Sequence, residues 1–209
     1  MTGQEVAGLF PAYPVRTERL DLRPHREDDL EDLLKFHSLP DVVRYVPWPV
    51  RDRDQTRVAL QAKLGQDALR APGQWLVLAI EHRASGTVIG EVLLKWASKD
   101  SRQGELGFVL HAGFQGQGLA AEAASAALDL GFEGLGLHRI TAVCVAGNDR
   151  SARLLGRLGM RQEGAFVHSV LFKGEWVDQL LFALLDTEWQ TTSNSQTLAP
   201  AARAEEGNG

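Results

Sequence analysis

The chain has 209 residues, of which 44% are apolar and 23% are charged, as in an ordinary single globular domain. Its net charge of −5 and pI near 5.7 argue against a general nucleic-acid-binding surface. The single cysteine predicts a chain without an internal disulfide. The sequence has no apolar run of about 20 residues and no signal-peptide pattern, so we expect a cytoplasmic protein that does not bind a membrane.

In chain order, the pattern predicts a flexible N-terminal arm over residues 1–14, one domain over 15–190 and a flexible tail over 191–209. Strands are predicted at 20–23, 74–81, 88–96, 105–110, 138–145, 161–167 and 176–185. Helices are predicted at 27–38, 52–70, 119–133 and 150–158. The fold class is therefore α+β, with an antiparallel meander and one parallel crossover through the helix that begins at Leu119.

The most informative segment is a glycine-rich loop between the strand that ends at Leu110 and this helix. It reads Gln115-Gly116-Gln117-Gly118-Leu119-Ala120. Glycines let a backbone approach a ligand closely, and a helix start offers unpaired N–H groups and a favourable dipole to a phosphate. The segment lacks the GxxxxGK[ST] pattern. It matches GxGxxA loosely, but it follows a meander rather than opening a βαβ unit, which disfavours a dinucleotide site.

Gln115, Gly118 and Ala120 form a Q-x-x-G-x-A motif. With the segments around it, this motif resembles the GNAT superfamily of N-acetyltransferases. The supporting segments are Leu137-His138-Arg139-Ile140, Asn148, Ser151 to Leu155, and Leu158-Gly159-Met160. Both ends resemble the ribosomal-protein-alanine N-acetyltransferase branch, on Thr17 to Leu20, Leu22 to Pro24, Phe172 to Asp178, and Glu188-Trp189. The resemblance covers about Arg16 to Trp189.

This resemblance implies a GNAT fold: a mixed, mostly antiparallel central sheet flanked by helices, in which a splayed strand pair holds the cofactor. It implies transfer of an acetyl group from acetyl-CoA to a primary amine by direct attack, without a metal. The implied cofactor-binding residues are Phe108, Val109, Leu110, Gln115, Gly116, Gln117, Gly118, Leu119, Ala120, Asn148, Ser151 and Arg153. Asn148 also suits a helix cap, and Arg153 also suits a solvated helix position.

Glu105 is the candidate general base, with Glu91 on the neighbouring strand as a weaker rival. A solvent-facing glutamate that pairs across the sheet is the structural alternative for Glu105. Ser151 is the candidate proton donor to the departing thiolate, although a serine near a helix start also suits a cap. Many family members have a tyrosine acid where this chain has Leu155, so the proton donor is Ser151, water or no group at all.

The acceptor is expected against an aromatic wall made by Tyr45, Trp48 and Trp176. A protein or peptide N-terminal α-amine is the leading acceptor, because more of it is neutral at pH 7 than of a lysine amine. An aminoglycoside, polyamine or metabolite acceptor is the alternative, and a non-catalytic acyl-CoA-binding module is the alternative of another class. Homodimers are common in the resembling branch, but no residue pattern here requires one.

Overall fold

The structure is a computed structural model that describes residues 8–197, with side chains described as far as Thr191. The strands are β1 (Val15–Arg16), β2 (Leu20–Pro24), β3 (Trp75–His82), β4 (Thr87–Ser98), β5 (Gln103–Leu110), β6 (Arg139–Val145), β7 (Arg161–Phe172) and β8 (Glu175–Leu185). They form one eight-stranded sheet in the order β1-β2-β3-β4-β5-β6-β8-β7. The pairing of β5 with β6 is parallel and the other neighbours are antiparallel. The predicted fold class is confirmed.

The helices are α1 (Leu30–His37), α2 (Pro40–Val43), α3 (Arg53–Gln61), α4 (Leu119–Asp129), α5 (Asp149–Arg157) and α6 (Asp186–Thr197). The prediction of a helix over residues 52–70 is wrong beyond Gln61. The Lys63 N–H bonds to the Leu60 carbonyl in a tightened last turn, and Leu69 lies in a bridge to Leu9. Leu69 is fully buried and its backbone pairs with Leu9, so tertiary contacts override the helical pattern there.

Helices cover both faces of the sheet. We call the face under α4 the α4 face and the face under α1, α2 and α3 the α1 face. On the α4 face, alanines of α4 such as Ala123 and Ala124 are fully buried, so this helix lies close to the strands. On the α1 face, a smaller core joins Leu33, Phe36 and Val109. The two faces therefore bring different elements to the middle of the sheet, where β5 and β6 meet.

The ends of the described chain are tied to this domain. Leu9 is buried, and the Tyr13 hydroxyl donates a hydrogen bond to the Asp67 carbonyl at 2.5 Å. Helix α6 extends into the stretch predicted as a tail, and the Trp189 indole donates to Asp129 at 2.8 Å. Residues 1–7 and 198–209, which hold the rest of the predicted arm and tail, lie outside the described residues. Within residues 8–197, no helix is both long and apolar enough to cross a bilayer.

Candidate active site

The sheet opens between β5 and β6. These strands pair only where Gln103–Glu105 meets Arg139–Thr141, and then β5 continues to Leu110 and β6 to Val145 without pairing to each other. We call this opening the gap. Along it, backbone groups of β5 that would pair with a neighbouring strand are available to an extended ligand. The predicted cofactor contacts Phe108, Val109 and Leu110 all lie along the gap on β5.

The glycine loop, Gln115 to Ala120, lies at the open end of the gap and leads into α4. Gly116 and Gly118 both adopt a φ of +80°, which favours glycine, and Gly118 is the N-cap of α4. Within residues 8–197, the backbone N–H groups from Gly116 to Ala120 have no hydrogen-bond partner. Left-handed turns that bunch free N–H groups at a helix start form a concavity suited to an anion such as a pyrophosphate.

The side chain of Gln115 joins the loop to its surroundings. Its amide nitrogen donates to the Leu110 carbonyl at 2.9 Å, and its amide oxygen accepts from the Arg150 guanidinium at 2.8 Å. Arg153 was predicted to bind the cofactor, whereas Arg150, which contacts the loop, was not. The structure places Arg153 exposed on α5 and shows it no contact with the loop, so its cofactor role stays a prediction.

The start of α5 lies beside the end of β6. Asn148 is the N-cap, and its side-chain oxygen accepts from the Ser151 N–H at 3.2 Å. The Ser151 hydroxyl lies beside the thiol of Cys144. Burial raises the pKa of Cys144 and the Ser151 contact offsets only part of it, which favours an inert thiol. The cap therefore explains Asn148, while the roles of Asn148 and Ser151 towards a cofactor stay predictions.

We expect Asn148→Ala to lower the free energy of unfolding by about 1 kcal/mol, because the Ser151 N–H loses its capping acceptor. Asn148→Asp keeps a capping oxygen and should retain the stability of the wild type. Urea unfolding of both variants measures this, and a CoA titration of the aspartate variant separates a cofactor contact from the cap. An alanine variant as stable as the wild type would show that the cap contributes little.

Glu105 lies at the closed end of the gap. It is opposite Thr141 on β6 and opposite Lys95 on β4. Because side chains alternate along a strand, Glu105 is on the same face of β5 as Val109, which packs in the α1-face core. Its side chain is partly exposed. The candidate base is therefore reachable from the α1 face, at the point where the two strands begin to diverge.

The α1 face is only partly covered beside the gap. Glu91 and Val109 are buried, but the next positions along β4 and β5 are partly exposed, and we call them the open strip: Leu93, Lys95, Glu105 and Gly107. A Cβ added to Gly107 would meet only the Leu93 side chain, at 3.7 Å. The missing side chain leaves room above the strand, next to Glu105.

Glu91, the rival base, is held in a buried ionic cluster on the α1 face. Its carboxylate is 1% exposed and contacts the Lys63 ammonium, while His25 Nε2 lies 3.2 Å from Oε1 and His37 Nε2 lies 3.8 Å from Oε2. The His37 distance is too long for a hydrogen bond and the ring nitrogens of His25 make none, so both contacts with Glu91 are best regarded as electrostatic. No group of described histidine, cysteine and carboxylate side chains has an arrangement that could hold a metal ion.

The contacts within this cluster shift the pKa values of Glu91, His25 and His37. Burial alone would raise the pKa of Glu91, but Lys63 and the two histidines hold it well below its ordinary value. Burial lowers the pKa of His25, yet the Asp29 and Glu91 carboxylates outweigh it and the net shift is upward. For His37, burial prevails and the pKa is lowered. Glu91 is therefore a charged carboxylate that is already paired, which makes it a poor proton acceptor.

Two of the three predicted acceptor residues lie near the gap. Tyr45, after α2, donates from its hydroxyl to the Gly147 carbonyl at 2.9 Å, next to the start of α5. The Trp48 ring lies 5.7 Å from the His37 ring, and its buried N–H has no protein partner within the described residues. Trp176 is 61% exposed near the tip of the β7–β8 hairpin and makes no ring contact with Tyr45 or Trp48. All three roles stay predictions.

A sheet that splays at its one parallel pair, with a crossover helix opening on a glycine loop, defines the architecture of a coenzyme-A-dependent acetyltransferase. A family model described as "Acetyltransferase (GNAT) domain" matches residues 19–161, and the chain belongs to this family. It is therefore an N-acetyltransferase, and its family uses acetyl-CoA.

Two curated relatives and one solved structure illustrate the similarity. An uncharacterized N-acetyltransferase of Bacillus subtilis, YnaD, is 30% identical over 84% of this chain and 98% of its own length. The [ribosomal protein uS5]-alanine N-acetyltransferase of Escherichia coli is 38% identical over 86% of this chain and 94% of its own. The crystal structure of a GNAT-family acetyltransferase from Bacillus anthracis superposes with a TM-score of 0.74 at 29% identity, covering 83% of this chain and 98% of that one.

Proposed function

We propose that the acceptor is the α-amine at the N-terminus of a protein or peptide. The observation that carries this proposal is the position of Glu105, partly exposed on the open strip of the α1 face. The glycine loop and α4 belong to the opposite face, so a cofactor on that loop leaves the α1 face free for an amine. Tyr45 and Trp48, on the α1 side, then border the approach.

In the proposed reaction, the free N–H groups of the glycine loop bind the pyrophosphate, and β5 pairs with the pantetheine arm along the gap. A backbone N–H near Val109 or Leu110 donates to the thioester oxygen as negative charge develops there. Glu105 takes the proton of the amine, directly or through water. The amine nitrogen forms its bond to the acetyl carbon while the carbon–sulfur bond breaks, and Ser151 or water protonates the thiolate.

The nature of the base supports an α-amine. An α-amine has a pKa near 8, so about one in ten molecules is neutral at pH 7, whereas only about one in a few thousand lysine amines is neutral. Glu105 is a single, partly exposed carboxylate, and the other carboxylate near the gap, Glu91, is already paired with Lys63. Such a site has little capacity to deprotonate a strongly basic amine. The similarity to an enzyme named for alanine acetylation points the same way.

The test is release of free thiol from acetyl-CoA with matched acceptors. One peptide that begins with alanine is presented in three forms: free N-terminus without lysine, blocked N-terminus with one lysine, and blocked without lysine as the background. Spermidine and an aminoglycoside complete the panel. We expect turnover with the free N-terminus and at most one-tenth of it with the lysine form. Preferred turnover of a polyamine or aminoglycoside would overturn the acceptor assignment while leaving the enzyme class intact.

A further inference from the structure

Arg19 lies directly beneath the glycine loop although it is far from it in sequence. In the turn between β1 and β2, its Nη1 donates to the Gln117 carbonyl at 2.9 Å, across 98 positions of the chain. Its Nη2 lies 3.4 Å from the point where a Cβ on Gly118 would be. The guanidinium therefore contacts both residues that precede α4: it donates to the Gln117 carbonyl and packs against Gly118 at the position that a side chain would occupy.

Glu122, in the first turn of α4, holds Arg19 in this position. One carboxylate oxygen accepts from Arg19 Nε at 2.7 Å, and the other accepts from the Arg19 backbone N–H at 2.7 Å and the Thr17 hydroxyl at 2.5 Å. Burial acts to raise the pKa of Glu122, but the bonds from Thr17 and Arg19 bring it below its ordinary value. Glu122 is thus a charged acceptor, and three hydrogen bonds tie Arg19 to Glu122 and to the Gln117 carbonyl.

The bond to the Gln117 carbonyl also sets the direction of the next amide. In a planar trans peptide, the carbonyl of one residue and the N–H of the next point in opposite directions. Because the Gln117 carbonyl points at Arg19, the Gly118 N–H points away from it, out of the loop. That N–H is one of the unpartnered donors of the glycine loop.

We propose that Arg19 is a positioning residue for coenzyme A, which aims the Gly118 N–H at the pyrophosphate while Glu122 locks the guanidinium. The inference rests on the proposed placement of the cofactor on the glycine loop. Arg19 also neutralises Glu122, whose negative charge in the first turn of α4 would otherwise oppose an anion bound there.

The experiment is a calorimetric titration of the full chain with CoA and with dephospho-CoA, which keeps the pyrophosphate but lacks the 3′-phosphate. We expect Arg19→Ala to raise the Kd of both ligands by the same factor, about tenfold, the scale of one hydrogen bond to a charged group. Arg16→Ala is the matched control, because the Arg16 guanidinium is largely exposed and, among residues 8–197, contacts Asp21 alone, in a 3.6 Å ion pair. It should leave both Kd values unchanged.

A spectroscopic readout separates positioning from loss of structure. In the wild type, the Gly118 amide resonance should shift on addition of CoA, and in Arg19→Ala this shift should shrink more than that of Ala120. Glu122→Gln should reproduce part of the effect while Arg19 is still present, which covers the case that Arg19→Ala fails to fold. An unchanged Kd in both variants would overturn the proposal. If Gly118→Val binds CoA as well as the wild type, the placement of the cofactor itself is wrong.

Discussion

Glu105→Gln should reduce kcat by about 10²- to 10⁴-fold, the usual contribution of a positioned proton acceptor. Glutamine preserves the size of the side chain, and the partly exposed site tolerates an uncharged amide. The Kd of CoA should stay within twofold, because Glu105 lies at the closed end of the gap, away from the glycine loop. Thiol release at saturating acetyl-CoA and a CoA titration measure the two quantities.

The matched control for this change is Glu175→Gln, which removes the same charge from an exposed position of β8. It should leave kcat unchanged. If Glu105→Gln has the same kcat as the control, Glu105 is not the general base, and another group must accept the proton of the amine. Loss of CoA binding in Glu105→Gln would instead indicate a structural role at the point where β5 and β6 diverge.

Glu91→Ala should destabilise the fold by about 3–5 kcal/mol, the cost of removing one partner from a buried ion pair. The substitution leaves the Lys63 ammonium and the two histidines without their shared carboxylate. Lys63 is 14% exposed and can turn partly towards water, which places the expected loss at the lower end. Urea unfolding measures the change.

A double-mutant cycle tests whether loss of the Glu91–Lys63 contact causes this destabilisation. Glu91→Leu and Lys63→Met should each destabilise the fold, and the variant that carries both should lose less stability than the sum of these two single changes, because the pair is removed together. Additive losses would show that the two side chains do not interact energetically. The two side chains form an ion pair in a largely buried site, so a coupling energy is expected.

The Glu91 carboxylate also affects how the free energy of unfolding changes at acid pH. The pKa of Glu91 is lowered on folding, so its contribution is complete above the unfolded value near 4.3 and is lost as the pH falls below it. Asp29 acts in the same direction, since the hydrogen bonds it accepts from Arg23 and its contact with His25 outweigh burial and lower its pKa. Unfolding free energy should therefore fall more steeply between about pH 5 and pH 3 in the wild type than in Glu91→Gln. Equal slopes would contradict this account of Glu91.

Local patterns in the chain were sufficient to predict the elements on which the candidate site depends. Alternating apolar residues predicted β5, and the run from Gln115 to Ala120 predicted a glycine loop at the start of α4. Asn148 was predicted at a helix start, where it is the N-cap. These predictions succeed because strand alternation, helix periodicity, capping and positive φ depend on residues within a few positions of one another.

Contacts between distant residues could not be predicted in this way. The helix predicted to continue beyond Gln61 ends there because Leu69 is needed in the core beside Leu9. Arg19 belongs to a segment that carried the family resemblance, but nothing in that segment shows that it meets Gln117. The ion pair of Lys63 with Glu91 likewise joins a turn after α3 to the middle of the sheet.

From the sequence by itself, the resemblance of its motifs indicated the family, and short-range periodicity and turn residues predicted the order of the main elements and the loop proposed to hold the cofactor. Only the tertiary structure decided that β5 and β6 part after Glu105 and Thr141, and that Glu105 faces an open strip while Glu91 is enclosed by Lys63, His25 and His37. Strand register and side-chain burial are set by packing across the sheet, which no local pattern records.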